Sequence, residues 1–173
     1  MKILFVCTGN TCRSPMTEGI FKHLLKEKNI EGINVSSAGI SVFPGEPANE
    51  KAIAILKDKG IDITKHKARQ LSDEIMSADI ILTMTSNHKK FIEYYFKADE
   101  TFPCHKPDET SPCLTPKVFT LKEFSSKVSK EKLINSDIDD PYGKNYDEYK
   151  RISDEIEKEL FKIINNIHRL EEL

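Results

Sequence analysis

Four short apolar runs, separated by stretches whose apolar residues recur at helical spacing, constrain this chain more than any other feature of it. Residues 2–6, 33–38, 79–84 and 117–120 read as strands. Between the first two, Met16, Ile20, Phe21, Leu24 and Leu25 repeat with the period of a helix over 15–28, and Pro15 suits its first position. Residues 50–59 read as a helix stopped by Gly60, and 87–96 as another. From Tyr149 onward, Ile152, Ile156, Leu160, Ile163, Ile167 and Leu170 trace one stripe of a long closing helix. Strands alternating with helices imply the α/β class, a parallel sheet covered by helices on both faces. In such sheets ligands bind beyond the carboxyl ends of the strands. There, directly after the first strand, stands CTGNTCRS, residues 7–14.

The composition of that loop suits an anion. Gly9 relieves steric limits, Asn10 tolerates a left-handed backbone, and Ser14 leads into the proline-started helix. Thr8 and Thr11 complete a run whose consecutive main-chain N–H groups can turn inward as a nest, reinforced by the positive end of the helix dipole. The same field favours the thiolate of Cys7, the form in which cysteine is a nucleophile. Arg13 adds a planar, permanently charged fork able to hold two phosphate oxygens. A nucleotide-binding loop is a poor alternative, because no glycine-lysine pair is present to reach the phosphates.

Displacing a poor leaving group from phosphorus also requires a proton donor, and the second half of the reaction requires a base for water. One carboxyl can serve both in turn. Asp137, Asp139 and Asp140 are candidates, and Asp140 precedes Pro141, which keeps its backbone extended. The alternative for this stretch is a solvated acidic turn.

With 173 residues, 38% of them hydrophobic, the chain is expected to form one domain over 1–173. A net charge of -2 with interspersed lysines and acids offers no basic face for nucleic acid. The apolar start, Ile3-Leu4-Phe5-Val6, is far shorter than a signal peptide's apolar region or a membrane span, so a cytoplasmic location and no membrane partner are expected. Cysteines at 7, 12, 104 and 113 are too sparse for a secreted disulfide framework, which favours catalytic or redox roles.

The run from Cys7 to Met16, together with Ser37-Ala38-Gly39 and Asp140-Pro141-Tyr142-Gly143, resembles the low-molecular-weight protein tyrosine phosphatases. The resemblance implies a four-stranded parallel sheet flanked by helices and phosphoryl transfer through a cysteinyl-phosphate, without metal or other cofactor. It implies that Cys7 is the nucleophile and that Arg13 and the amides of residues 8–14 bind the phosphoryl oxygens. Ser14 would hydrogen-bond the sulfur, Asn10 would hold the loop's shape, Asp140 would be the general acid, and Tyr142 would wall the pocket. Tyrosine-specific relatives usually carry isoleucine or leucine where this chain has Thr11. Threonine there, together with Leu82-Thr83-Met84-Thr85, His88, residues 117–123 and Gly143, is more similar to the bacterial protein arginine phosphatase branch. Phosphoarginine on proteins is therefore the expected substrate, with inorganic phosphate as product and phosphotyrosine as the alternative. The other reading of Thr11 is a hydroxyl turned to the loop backbone.

Three points stay open on the sequence. Residues 97–117 carry four prolines and read as an extended surface loop; Cys104, His105 and Cys113 within it could suggest zinc or redox chemistry but lack a fourth ligand at regular spacing. Phe43 is either the pocket-rim aromatic or core. Cys12, five positions from Cys7, is either a redox partner that closes a protective disulfide on oxidation or a small buried apolar residue. Arsenate reductase is a rival reading that needs further cysteines, and the place after the third strand reads Met84-Thr85-Ser86. A phosphoanion-binding module without catalysis is disfavoured by the presence of both nucleophile and acid.

Overall fold

A computed structural model describes residues 1–71, 78–98 and 117–172. Among them are four strands and five α-helices in the order β1 (Lys2–Cys7), α1 (Arg13–Glu27), β2 (Asn34–Gly39), α2 (Glu50–Asp58), β3 (Ile80–Thr83), α3 (Ser86–Ala98), β4 (Lys117–Thr120), α4 (Leu121–Ser129) and α5 (Tyr146–Asn165). A 3₁₀ segment, Ile167–Glu172, follows α5. The strands form one parallel sheet in the order β2-β1-β3-β4, the architecture expected from the alternation of runs. No helix among the described residues is long and apolar enough to cross a membrane.

The apolar content of β1 follows from its central place. With β2 and β3 paired along its two edges and helices packed over both of its faces, Ile3 to Cys7 are all buried. Alternation then divides its side chains. Ile3, Phe5 and Cys7 join the larger core with α1, α2, α4 and α5, while Leu4 and Val6 join a smaller core with Ile81 of β3 and Ile92 of α3. Phe5 meets Phe21 of α1 edge-on, with ring centroids 5.8 Å apart. Leaving β1, the chain passes through α1 to β2 on one side and later returns to β3 on the other. The carboxyl end of β1 is thus a topological switch point, where a crevice opens.

Element boundaries differ from expectation in three places, each with a local cause. Helix α1 begins at Arg13, so Pro15 is its third residue; the first turn has no intrahelical acceptors, and proline is tolerated there. Helix α5 begins at Tyr146 because Asn145 caps it, its side chain accepting from the Glu148 N–H at 3.0 Å, and it yields to the 3₁₀ segment before the end of the predicted stripe. Helix α4 was not expected at all. It starts without a linker after β4, through a capping box in which Thr120 Oγ1 accepts from the Glu123 N–H (3.1 Å) and Glu123 accepts from the Thr120 N–H (2.9 Å). The expected proline-rich loop, with Cys104, His105 and Cys113, falls mostly outside the described residues.

Candidate active site

Residues 7–14 close a tight loop between β1 and α1, and the means of closing it are visible bond by bond. Asn10 takes a left-handed backbone, φ 55°, as its residue type allows. Its amide donates to Ser14 Oγ and to Ser37 Oγ, both at 2.9 Å, and its carbonyl side accepts from the Arg69 N–H at 3.0 Å. His66 Nε2 bonds the Asn10 main-chain carbonyl at 2.8 Å. Ser37 in turn donates to Glu18 at 2.6 Å, so the fully buried Asn10 is held by four residues from three segments of chain. Gly39 lets the loop lie against β2: a Cβ there would stand 2.5 Å from Thr8 O and 2.9 Å from Asn10 N.

This scaffold aims donors at one sulfur. Cys7 Sγ is 3.0 Å from Ser14 Oγ and receives the Asn10 main-chain N–H at 3.3 Å. The N-cap of α1 is Cys12, whose side chain makes no capping bond to the helix, so the first amides of the helix are left to face the loop. Cys12 is itself buried, with Sγ 3.2 Å from the Tyr149 hydroxyl and 3.6 Å from Thr11 Oγ1. Burial pushes its pKa up despite those two bonds, and the neighbouring Cys7 and Asp140 add to the rise. Cys12 thus remains a thiol at neutral pH.

Arg13 is buried at 4% exposure, yet its guanidinium reaches across the mouth of the loop. Nη1 donates to the Ile138 carbonyl at 3.3 Å and Nη2 to Asp140 Oδ2 at 2.5 Å, while Nε, also buried, has no partner among the described residues. Asp140 arrives from far along the chain because the Ile138 N–H bonds the Met84 carbonyl at 2.8 Å, and Met84 continues from the end of β3. The second Asp140 oxygen accepts the Tyr142 N–H at 3.1 Å. The three aspartates proposed from sequence are thereby separated. Asp137 binds the Ser86 main-chain N–H at the start of α3 (2.8 Å) and Asp139 pairs with Arg151 (3.0 Å). Burial opposes charge on Asp137, but bonds from Ser86 and Ser136 outweigh it and hold the carboxyl below its usual range. Asp140 alone of the three lines the cleft.

That cleft has a volume of about 280 Å³ and is walled by Cys7, Thr8, Thr11, Arg13, Asp140 and a rim of Phe43, Glu46 and Tyr142. Phe43 and Tyr142 are 83% and 72% exposed, so Phe43 is a rim residue and not core. Glu46 was not anticipated, and it has no ion-pair partner among the described residues. Glu18, His66, Arg69 and His88 were likewise not assigned to the site. They act on the loop from other segments; His88 stood in a stretch that carries the family resemblance, but nothing local marks its contact with the loop, nor those of the other three. Ser37 stood in a recognised motif, but its bond to Asn10 becomes visible only in three dimensions.

Over residues 2–172 the chain matches the family described as low molecular weight phosphotyrosine protein phosphatase. It is 35% identical over 170 residues to the protein-arginine-phosphatase of Bacillus subtilis strain 168, covering 98% of each chain. To the protein-arginine-phosphatase of Geobacillus stearothermophilus it is 40% identical over 157 residues, 90% of this chain and 88% of that one. Among solved structures it superimposes, with TM-score 0.80 and 34% identity over 98% of this chain and 97% of the other, on a YwlE arginine phosphatase mutant whose active-site serine, in place of cysteine, is phosphorylated. A β1-to-α1 loop built around a hydrogen-bonded cysteine sulfur and a buried arginine, on a sheet of this order and with a match along the whole described chain, establishes that the protein belongs to the low molecular weight phosphotyrosine protein phosphatase family.

Proposed function

We propose that the chain acts as one domain, a protein phosphatase that hydrolyses the P–N bond of phosphoarginine in proteins. The observation that carries the chemistry is the convergence on one loop of Cys7 Sγ, with its two hydrogen bonds, and the Arg13–Asp140 pair beside it. In this reading the incoming phosphoryl dianion takes over the Arg13 fork, including the unpartnered Nε, and releases Asp140 toward the leaving group. The Cys7 thiolate attacks phosphorus, the P–N bond breaks, and protonated Asp140 gives its proton to the departing guanidine nitrogen. Water then attacks the cysteinyl-phosphate while Asp140, now a carboxylate, accepts its proton; the S–P bond breaks, and phosphate leaves with the thiolate restored. Loop amides of residues 8–14 and the Arg13 guanidinium stabilise the oxygens throughout.

Two features support phosphoarginine over phosphotyrosine. Thr11 puts a small polar side chain in the cleft where an apolar residue would favour an aromatic ring, and Glu46 adds a second carboxylate to a mouth already holding Asp140. Carboxylates suit a donor-rich guanidinium and offer a phenyl ring nothing. The names of the relatives that match nearly the full chain point the same way. Arsenate reduction is disfavoured, since the place directly after β3 reads Met84-Thr85-Ser86, without a cysteine to begin a disulfide relay. On the same reading Cys12 has a redox role: a buried thiol near the nucleophile, it would attack a Cys7 sulfenic acid formed by peroxide, losing water and closing a disulfide.

Release of inorganic phosphate from a phosphoarginyl peptide tests the activity. Cys7→Ser is expected to bind phosphate and release none. Asp140→Ala is expected to lose 10²-fold or more on phosphoarginine, within the usual range of general acid catalysis, and far less on an activated aryl phosphate. Equal losses on both substrates, or a larger loss from Asp139→Ala, contradict the acid assignment.

A further inference from the structure

His88 lies in the first turn of α3, and the chemistry above makes no use of it. It is 7% exposed. Its Nε2 is 2.9 Å from Thr8 Oγ1, and its other ring nitrogen, Nδ1, is buried with no partner among the described residues. The turn that carries it is fixed from two sides: the His88 main-chain N–H donates to Thr85 Oγ1 at 3.2 Å, and Asp137 holds the Ser86 N–H. Thr8 directly follows the nucleophile, is exposed, and lines the cleft.

These contacts determine where the imidazole proton sits. A buried N–H without an acceptor is rarer and costlier than a buried lone pair without a donor, so the bare nitrogen is Nδ1 and the proton is on Nε2. Burial and the Arg13 guanidinium hold the ring's pKa down to about 4 against the opposing Asp140 and Asp137, so the ring is neutral at physiological pH. Nε2 therefore donates to Thr8 Oγ1. A hydroxyl that already accepts from one side turns its own proton elsewhere, and for Thr8 the open side is the cleft.

We propose that His88 is a positioning residue that acts through Thr8: as an Nε2–H donor it fixes the residue after the nucleophile and directs the Thr8 hydroxyl proton toward the phosphoryl group. This rests on the reading that the loop binds that group. The pair is a long-range contact, joining positions 80 residues apart, and it ties the loop after β1 to the start of the helix after β3.

The test uses inorganic phosphate as a competitive inhibitor of aryl phosphate hydrolysis, with kcat followed in parallel. His88→Leu and Thr8→Val each remove the bond; His88→Gln keeps an amide N–H near the Nε2 position. Each of the first two is expected to weaken phosphate binding and lower kcat by about three- to tenfold, as for one hydrogen bond. Their combination is expected to be no worse than either alone, and His88→Gln to recover most of the loss. In the unsubstituted protein at pH 7, ¹⁵N spectra are expected to show Nε2 protonated and Nδ1 bare. The proposal is overturned if the double variant's losses multiply, if His88→Leu lowers thermal stability while phosphate affinity and kcat stay at the parent's values, or if the ¹⁵N spectra show a proton on Nδ1. Should His88→Leu fail to fold, Thr8→Val, His88→Gln and the spectra still decide it. Aryl phosphate is turned over whether the natural substrate is phosphoarginine or phosphotyrosine, so failure of the substrate reading leaves these outcomes unaffected.

Discussion

At the scale of single residues, the site divides into positions whose chemistry is written in a local pattern and positions that matter only through contact. Cys7, Asn10, Arg13 and Ser14 belong to the first group, because a strand end, a left-handed turn and a helix start must follow one another within eight residues. Ser37, His66 and Arg69 belong to the second: each bonds Asn10 from a distance of 27 to 59 residues, and nothing adjacent to them in sequence marks the bond. Asp140 lies between the two groups. Its mounting before Pro141 was legible, but its distinction from Asp137 and Asp139 depends on where Ser86 and Arg151 come to lie. On the proposed reading, Thr11 is the residue on which substrate choice turns. Isoleucine there adds apolar bulk, which favours an aromatic ring and crowds a branched nitrogen group, and pocket changes of this size alter discrimination by about ten- to two-hundred-fold. Thr11→Ile is expected to move the ratio of kcat/KM for phosphoarginyl and phosphotyrosyl peptides toward phosphotyrosine by that factor. Turnover of an activated aryl phosphate should survive, since Cys7 and Arg13 are untouched. An unchanged ratio contradicts the role.

At the scale of elements, β1 and β3 were legible because a strand buried on both faces demands a near-continuous apolar run, visible without knowing the partner strands, whereas β2, with Asn34, Ser36 and Ser37, and β4, with Lys117 and Thr120, carry a weaker apolar signal. Helix α4 was missed for the converse reason. It has nine residues, and the four residues of β4, Lys117–Thr120, run into it without a turn signal. Its signature was nonetheless present, a threonine followed three residues later by a glutamate ahead of Phe124 and Val128. Those two side chains are buried in the larger core, so the cap at Thr120 fixes the entry of a helix that packs on α5. Thr120→Ala is expected to cost about 1 kcal/mol of stability, with Thr120→Ser close to the parent, measured by urea unfolding at constant m-value. A loss below a few tenths for the alanine variant contradicts the capping account.

At the scale of the whole molecule, the sheet order explains why the cleft lies where it does. Chain reversal about β1 opens the crevice, the loop of residues 7–14 fills its floor, and the segment of residues 138–142 is drawn over it through the Ile138–Met84 bond. Sequence gives the strand count and the loop but not the order of strands, which is a property of packing. The same packing leaves a signature in the acid stability of the fold. His88 has an ordinary pKa of 6.5 and is held down to about 4 when buried, so between these values the unfolded chain binds a proton that the folded one refuses. Stability is therefore lost as pH falls through this window and regained as it rises. At pH 5 the loss relative to pH 7.5 is about 2 kcal/mol from this group. A His88→Gln variant is expected to lack that increment when unfolding free energies at the two pH values are compared, and an acid slope equal to the parent's contradicts the assignment.

The substrate claim is tested most directly by measuring kcat/KM of the unsubstituted protein on two peptides identical except for phosphoarginine or phosphotyrosine, under the same conditions. A cleft with Thr11 on its wall and the carboxylates of Asp140 and Glu46 at its mouth predicts a preference for phosphoarginine of at least tenfold. A preference for phosphotyrosine, or equal efficiency on both, would contradict it.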